Sequence, residues 1–327
     1  DSQKMFEVYD KWPEIARKTF ETNQEMVRYE NVNHIVFAGM GGSGTIGDIF
    51  SSVLSKSKIH VNVVKGYVLP KTSNSNTLVV GISVSGNTAE TLSVLESAQK
   101  INCKIICFTS GGKMLDFCKK NKIQYRIISK IHSPRASFIN YLYSILKVLH
   151  VTLAINQKDI LESIMELEKI HTKINSSNLT NNNVALNLAK WITNIPIIYY
   201  PFGLQSVGIR FKNCLNENSK IHASTEDMLE ACHNGVVAWE KKSMIQPILI
   251  EGEDDHIKTK ERWQVLKKLL SQNNVEYKEI KSIKGGILSK LVSLIYLLDY
   301  ATIYLAIKFN IDPTPVKSIE FIKKKIS

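Results

Sequence analysis

The feature that most constrains the fold is a unit in which a short apolar strand runs into a glycine- and serine-rich turn and then into a helix. In the clearest case, β-branched residues at 77–80 precede the turn 81–90, and helical spacing of apolar side chains follows at 91–98. Repeats of this unit form a parallel sheet with helices on both faces. Ligands of such sheets bind at the carboxyl ends of the strands.

The turn after residue 80 carries three hydroxyl side chains, those of Ser83, Ser85 and Thr88, with Gly86 among them. The first turn of a helix presents unpaired N–H groups and the positive end of the helix dipole. Hydroxyl donors added to such a helix start predict a site for a phosphate dianion. The alternative is an ordinary helix cap, for which serine and threonine are also favoured.

A second glycine-rich turn, at 39–44, follows an apolar strand at 34–38 and fits the G-x-G-x-x-G pattern of dinucleotide-binding proteins. That interpretation needs an acidic residue at the end of the next strand, where it would hold the ribose. The next strand, 60–64, is followed by Lys-Gly-Tyr. A nicotinamide-dependent dehydrogenase is therefore disfavoured. The glycines would instead admit a sugar close to the backbone, with Ser43 as a further hydroxyl.

The second half of the chain repeats the layout of the first. An Asn-rich segment at 175–183 separates the halves, and further strands are predicted at 195–200, 245–250 and 276–280. At 327 residues the chain is long enough for two domains with cores of their own. We predict a duplicated α/β fold, with an N-terminal domain at 1–155 and a C-terminal domain at 156–327, each a parallel sheet flanked by helices.

Composition narrows the functional class. The apolar stretch 287–307 could mimic a membrane span, but Lys290 and Asp299 interrupt it, which favours a buried helix. The five cysteines form no C-x-x-C pair, and their odd number, with no secretory leader, favours reduced thiols in the cytoplasm. The net charge of +12 comes mostly from scattered lysines, which favours a solvated surface over a nucleic-acid site and suits an anionic substrate.

Two further residues are candidates for acid–base chemistry. Glu217 ends a predicted helix between two asparagines, and His233 lies in a predicted turn. Taken alone, the first is most often a surface carboxylate and the second a capping or core residue. No His/Glu cluster has the spacing of metal ligands, which disfavours a zinc-dependent reaction.

The order and spacing of the motifs resemble those of the archaeal-type bifunctional phosphoglucose/phosphomannose isomerases, which have two SIS (sugar isomerase) domains. The glycine and serine turns are shared by many sugar-phosphate proteins, whereas the Asn-Glu-Asn and His-Asn segments are more specific to this group. The resemblance covers nearly the whole chain, and its motifs are the turns 39–44 and 83–91 and the segments 134–136, 216–220, 233–234 and 312–323.

The resemblance implies a role for each candidate residue. Glu217 matches the general base that moves a proton between C2 and C1. His233 matches the residue that opens the sugar ring, reaching in from the second subunit of a dimer, and Lys323 matches a lysine that assists it. Arg135 matches the arginine that steadies the charge of a cis-enediol intermediate. The phosphate- and sugar-binding residues would be Gly41, Gly42, Ser43, Ser83, Ser85 and Thr88.

The same resemblance implies a cytoplasmic homodimer that isomerises sugar phosphates, with no cofactor, no metal, and neither nucleic acid nor membrane as a partner. Thr314 is the position that it suggests for a threonine admitting mannose. Val84 and Cys232 depart from the pattern, where relatives have an aromatic residue and an asparagine, and they leave the sugar preference open. Two alternatives remain: another SIS-domain sugar-phosphate isomerase, and a non-catalytic sugar-phosphate sensor, which has no use for Glu217 and His233 together.

Overall fold

The computed structural model describes residues 1–326, without the side chain of residue 326, and divides into two compact units. The first unit consists of Lys11–Glu168 and Gly285–Val292. The second unit consists of Asp1–Asp10, Lys169–Lys284 and the chain from Ser293 onward. Both units are thus discontinuous in sequence, whereas a single boundary between residues 155 and 156 stays a prediction.

The first unit is built on five parallel strands in the order β2-β1-β3-β4-β5. Its strands are β1 (His34–Ala38), β2 (His60–Val64), β3 (Thr77–Ser83), β4 (Lys104–Thr109) and β5 (Gln124–Ile127). Its helices are α2 (Trp12–Glu21), α3 (Gly42–Val53), α4 (Ala89–Lys100), α5 (Gly112–Lys120) and α6 (Phe138–Leu149). All residues of β1 and β3 are buried, as their unbroken apolar runs predict. The strand order reverses between β1 and β3, and this is where such sheets bind ligands.

The second unit has four parallel strands in the order β7-β6-β8-β9, which repeats the order β2-β1-β3-β4. Its strands are β6 (Ile195–Tyr200), β7 (Ser224–Asp227), β8 (Ile245–Glu251) and β9 (Lys278–Lys281). Its helices are α1 (Met5–Asp10), α8 (Val184–Trp191), α9 (Gln205–Glu217), α10 (Met228–Ala231), α11 (Ile257–Gln272) and α13 (Lys317–Ile326), with a 3-10 helix at Gly235–Glu240. The duplicated α/β architecture is therefore confirmed.

Two long helices carry the chain from one unit to the other, α7 (Gln157–Ile174) and α12 (Ile287–Lys308). Within residues 1–326, α12 is the one helix long and apolar enough to cross a membrane. It is a core helix here, because 89% of its most apolar window is buried inside the protein. Its charged residue Asp299 is fully buried and is hydrogen-bonded by Arg210 of α9.

In two stretches of the chain the structure forms less helix than the sequence predicts. The spacing of apolar residues predicts one or two amphipathic helices over 5–30 and one long helix from residue 133 to about residue 154. The structure forms α1 and α2 in the first stretch, ending at Glu21, and only α6 in the second. The segment before α6 forms side-chain hydrogen bonds instead: Ser137 Oγ donates to the Ile131 carbonyl at 2.8 Å and accepts from the Ile131 N–H at 2.8 Å. Serine side chains compete with helical backbone bonds in this way, so the helix begins at Phe138 and not at residue 133.

Candidate active site

The serine turn at the end of β3 is tightly ordered by its own hydroxyl groups. Ser83, 2% exposed, places its Oγ 2.8 Å from Thr88 Oγ1 and accepts the Gly86 N–H at 3.0 Å. The Asn87 N–H donates to Ser85 Oγ at 3.2 Å. Thr88 holds the N-cap position of α4, yet its side chain caps none of the first N–H groups of that helix. The Thr88 hydroxyl is therefore bonded to Ser83 and caps none of the first N–H groups of α4, and the predicted phosphate site at this turn stays a prediction.

Gly86 is required by the shape of this turn. Its φ is +69°, and a Cβ atom built on it would lie 1.7 Å from the carbonyl oxygen of Gly111. Any side chain there would collide with backbone. The turn is thus braced against the loop that follows β4, which keeps its hydroxyls in place.

The glycine-rich turn lies beside it, because Ala38 of β1 pairs in register with Gly81 of β3. Gly41 has a φ of +53° and directly precedes α3, which begins at Gly42 and carries Ser43 in its first turn. The N–H groups at this helix start and those of α4 therefore border the same crevice, between the two central strands of the sheet. Such helix starts favour anions.

Lys65, a cation outside the predicted site residues, lies beside the glycine-rich turn. Lys65 follows β2, at the place where a dinucleotide-binding protein would have its acidic residue, and its Nζ lies 2.5 Å from Asp48 of α3. Its Cε atom would be 3.0 Å from a Cβ built on Gly44, so the side chain lies across the first turn of α3. Burial raises the pKa of Asp48, against the opposing influence of Lys65. Its position directly after β2 is the sequence signal that indicates this residue.

Arg135 belongs to the same unit and is 5% exposed, in the segment that precedes α6. Its neighbours fix the backbone: Trp12 Nε1 donates to the Ala136 carbonyl at 3.1 Å, and Ser137 bonds Ile131 as described above. The Phe138 N–H donates to the Arg135 carbonyl at 3.4 Å. The backbone around Arg135 is therefore held by hydrogen bonds on its C-terminal side.

Glu217 is the last residue of α9 and is half-buried in the second unit. Lys220, with a φ of +55°, folds back so that its Nζ donates to the Glu217 carbonyl. The same Nζ donates to the carbonyl of Pro313 at 3.2 Å. Lys220 therefore joins the end of α9 to the segment that contains Thr314.

A buried ion pair about two helix turns before Glu217 holds α9 against α12. Arg210 Nε lies 3.1 Å from both carboxylate oxygens of Asp299, and Arg210 Nη2 lies 2.6 Å from Oδ2. The Tyr9 hydroxyl donates to the same Oδ2 at 3.2 Å. Burial, the largest influence, raises the pKa of Asp299, and the Arg210 charge opposes it.

His233 and Lys323 also lie in the second unit, and both are exposed. His233 is the second residue after α10, and its N–H donates to the Glu230 carbonyl at 2.8 Å. The next residue, Asn234, donates from Nδ2 to Glu230 Oε1 at 3.0 Å. Lys323 lies on α13. The candidate residues therefore divide between the units, with the phosphate turns and Arg135 in the first and the acid–base candidates in the second. In the described residues 1–326, no group of three or more His, Cys, Asp and Glu side chains could hold a metal ion.

Comparison with known proteins defines the class first. The SIS domain model matches residues 29–155, and a model described as the bacterial phospho-glucose isomerase C-terminal SIS domain matches residues 181–326. The C-terminal domain of glucosamine-fructose-6-phosphate aminotransferase from Francisella tularensis shares the fold, with a TM-score of 0.73 at 17% identity over 95% of this chain and 98% of that one. The chain is a protein of two SIS domains.

The sequence relatives then define the family. The chain is 33% identical to the bifunctional phosphoglucose/phosphomannose isomerase of Caldicellulosiruptor bescii, over 99% of both proteins. It is 32% identical to the corresponding protein of Aquifex aeolicus, over 96% of this chain and 94% of the relative. The chain belongs to the bifunctional phosphoglucose/phosphomannose isomerase family. The predicted family and the predicted SIS fold are both confirmed.

Proposed function

We propose that this chain interconverts glucose 6-phosphate and mannose 6-phosphate with fructose 6-phosphate, through a cis-enediol intermediate. Membership in the family carries this conclusion, and the predicted aldose–ketose isomerase activity is confirmed by it. The assignment of residues to steps is a further part of the proposal. It is supported by the local geometry of each unit and by the chemistry that each step requires.

The substrate phosphate binds at the two turns of the first unit. The hydroxyls of Ser83, Ser85 and Thr88 donate to its oxygens, together with the N–H groups at the start of α4. The N–H groups of Gly41 and Gly42 and the hydroxyl of Ser43 border the bound sugar. Lys65 adds positive charge at the same crevice, which favours a dianion over a neutral sugar.

Ring opening precedes the transfer of hydrogen. His233 exchanges a proton with the ring oxygen or the anomeric hydroxyl of the substrate, and Lys323 assists it. Both side chains are exposed, which fits an action on a second copy of the chain in a homodimer. On this proposal a monomer would hold an incomplete site.

Isomerisation then needs one base and one fixed positive charge. Glu217 removes the proton from C2 of the open aldose and returns it to C1, so the product is the ketose. Arg135 stabilises the negative charge that develops on the enediol oxygens, and its rigid backbone limits the reorganisation that this requires. Thr314, joined to the base through Pro313 and Lys220, is the candidate for admitting the mannose epimer.

We also place the enzyme in the cytoplasm. All five cysteines are free thiols, and three of them are buried, which suits a reducing compartment.

The test is an assay of the purified protein with fructose 6-phosphate, in which glucose 6-phosphate and mannose 6-phosphate are measured separately. We expect both products, and we expect Glu217→Gln to lose both by a factor of about 1,000 or more, as the loss of an essential base implies. Glu276→Gln is the matched control, because Glu276 is an exposed carboxylate of the same unit. It should leave both rates unchanged.

Other outcomes separate the alternatives. If glucose 6-phosphate is the only product formed, the mannose 6-phosphate activity is removed from the proposal. A fully active Glu217→Gln variant would contradict the assignment of the base. If the wild-type protein forms neither product, while sugar phosphates still raise its melting temperature, the sensor hypothesis replaces the enzyme.

A further inference from the structure

The two residues that follow Glu217 are both fully buried polar side chains, and both are hydrogen-bonded to one residue of α12. Asn218 Nδ2 donates to the Thr302 hydroxyl at 2.8 Å, and Ser219 Oγ donates to the Thr302 carbonyl at 2.8 Å. Asn218, Ser219 and Thr302 are all 0% exposed. The end of α9 therefore has two directional attachments to a single residue 83 to 84 positions further along the chain.

The Thr302 hydroxyl has a defined direction as well. It donates its proton to the carbonyl of Asp299 at 2.6 Å, so only its lone pairs remain for the Asn218 amide. This arrangement orients the amide, because Nδ2 must face the hydroxyl. It also links the attachment to the residue that forms the buried ion pair with Arg210.

Apolar packing alone would not require these bonds. Val207, Phe211 and Leu215 of α9 are already buried, and the ion pair fixes the helix about two turns before its end. The last turn of a helix frays unless it is tied down. Glu217 lies in that last turn and is itself only half-buried. Directional bonds on the next two residues fix both the end of the helix and its rotation, and hence the direction in which the Glu217 side chain leaves it.

We infer that Thr302 is a positioning residue, which holds Glu217 in the geometry that proton transfer needs. This inference rests on the proposed function, in which Glu217 is the general base. A displacement of about 1 Å in a catalytic group can cost about 100-fold in rate. Loss of the attachment should therefore lower the rate of the chemical step more than the affinity for substrate.

The variants are chosen to separate positioning from folding. Thr302→Val keeps the volume and removes the acceptor for Asn218 Nδ2, whereas Thr302→Ser keeps the hydroxyl. Ser219→Ala removes the second attachment with little change in volume. Ser293→Ala is the matched control, because Ser293 lies on the same helix in the same unit, is 2% exposed, and its hydroxyl has no hydrogen-bond partner among the described residues.

We expect Thr302→Val to lower kcat by roughly 10- to 100-fold, with KM for fructose 6-phosphate within about twofold of wild type. The kcat of Thr302→Ser should lie within about threefold of the wild-type value, and Ser219→Ala should lower kcat by about threefold to tenfold. Ser293→Ala should match the wild type. Melting temperatures and circular dichroism, measured on each variant, establish that the assayed protein is folded.

A second readout follows the proton itself. Glucose 6-phosphate deuterated at C2 is converted in ordinary water, and the deuterium retained at C1 of fructose 6-phosphate is measured by mass spectrometry. A displaced base loses more of its deuteron to water, so Thr302→Val should retain less deuterium than the wild type. A merely destabilised protein would lose active molecules without changing this fraction.

A folded Thr302→Val variant with wild-type kcat and wild-type retention would overturn the inference. If that variant does not fold, Ser219→Ala decides in the same way. If Glu217→Gln is itself fully active, the proposed function fails, and changes at Thr302 then carry no meaning for a base. If Glu217→Gln is inactive while the Thr302 and Ser219 variants behave as wild type, only the positioning role fails.

Discussion

The buried pair of Arg210 and Asp299 allows a stability prediction whose size follows from the structure. The two side chains are 2% and 0% exposed, and three N–O distances between them are 3.1, 3.1 and 2.6 Å. Asp299→Asn keeps the shape but leaves the guanidinium buried without its counter-charge. Removing one partner of a buried pair costs about 3–5 kcal/mol. That is a large part of the 5–15 kcal/mol that typically separates folded from unfolded domains.

The assay is urea unfolding followed by tryptophan fluorescence and circular dichroism. Glu261→Gln is the control, because Lys258 and Glu261 are as close, at 2.7 Å, but are 72% and 53% exposed. Exposed ion pairs contribute less than about 1 kcal/mol to stability, so this variant should unfold at nearly the same urea concentration as the wild type. The double variant Arg210→Met/Asp299→Leu should cost less than Asp299→Asn, because it removes both charges together.

If the free energy of unfolding of Asp299→Asn lies within about 1 kcal/mol of the wild-type value, this reasoning is refuted. It would mean that the carboxylate contributes little beyond its shape. If the double variant is less stable than Asp299→Asn, the attraction between the two charges itself stabilises the unit, beyond the neutralisation of one charge by the other.

The remaining predictions concern the two turns of the first unit and one thiol. Thr88→Val should raise KM for sugar phosphates by about 10- to 100-fold, since one charge-assisted hydrogen bond is worth about 1.5–3 kcal/mol, and steady-state kinetics would show it. Lys65→Met should raise KM at low salt more than at high salt, because salt screens a partly exposed charge. Gly86→Ala should lower the melting temperature and sugar-phosphate binding together, because its Cβ has no room beside Gly111. Burial raises the pKa of the Cys232 thiol, so iodoacetamide should modify it more slowly than a free cysteine at pH 8, and faster as pH rises.

Local patterns in the sequence predicted most elements that the structure contains. Apolar runs predicted most strands of both sheets with ends that differ by up to three residues, since a buried parallel strand has an unbroken apolar signature. β7 was missed, because Ser224–Asp227 is a short polar strand at the edge of its sheet and carries no such run. α6 was predicted too long, because the side-chain bonds of Ser137 compete with the helix and leave no periodic trace.

The candidate residues came from two different sources. The serine turn was selected as a phosphate site by physical chemistry, since hydroxyls, a glycine and a helix start lie together in the chain. Glu217, His233, Lys323 and Arg135 were selected by family resemblance, because a single carboxylate or imidazole has no local signature of catalysis. Their roles stay predictions.

The sequence by itself determined the two repeated sheets, the turns at their edges and the family. Only the tertiary structure revealed that the first ten residues belong with the second unit, that Arg210 meets Asp299, and that Asn218 meets Thr302. The reason is physical. Periodicity tells which face of a segment is buried, but a hydrogen bond or an ion pair between residues more than 80 positions apart depends on where the chain returns, and no local pattern records that partner.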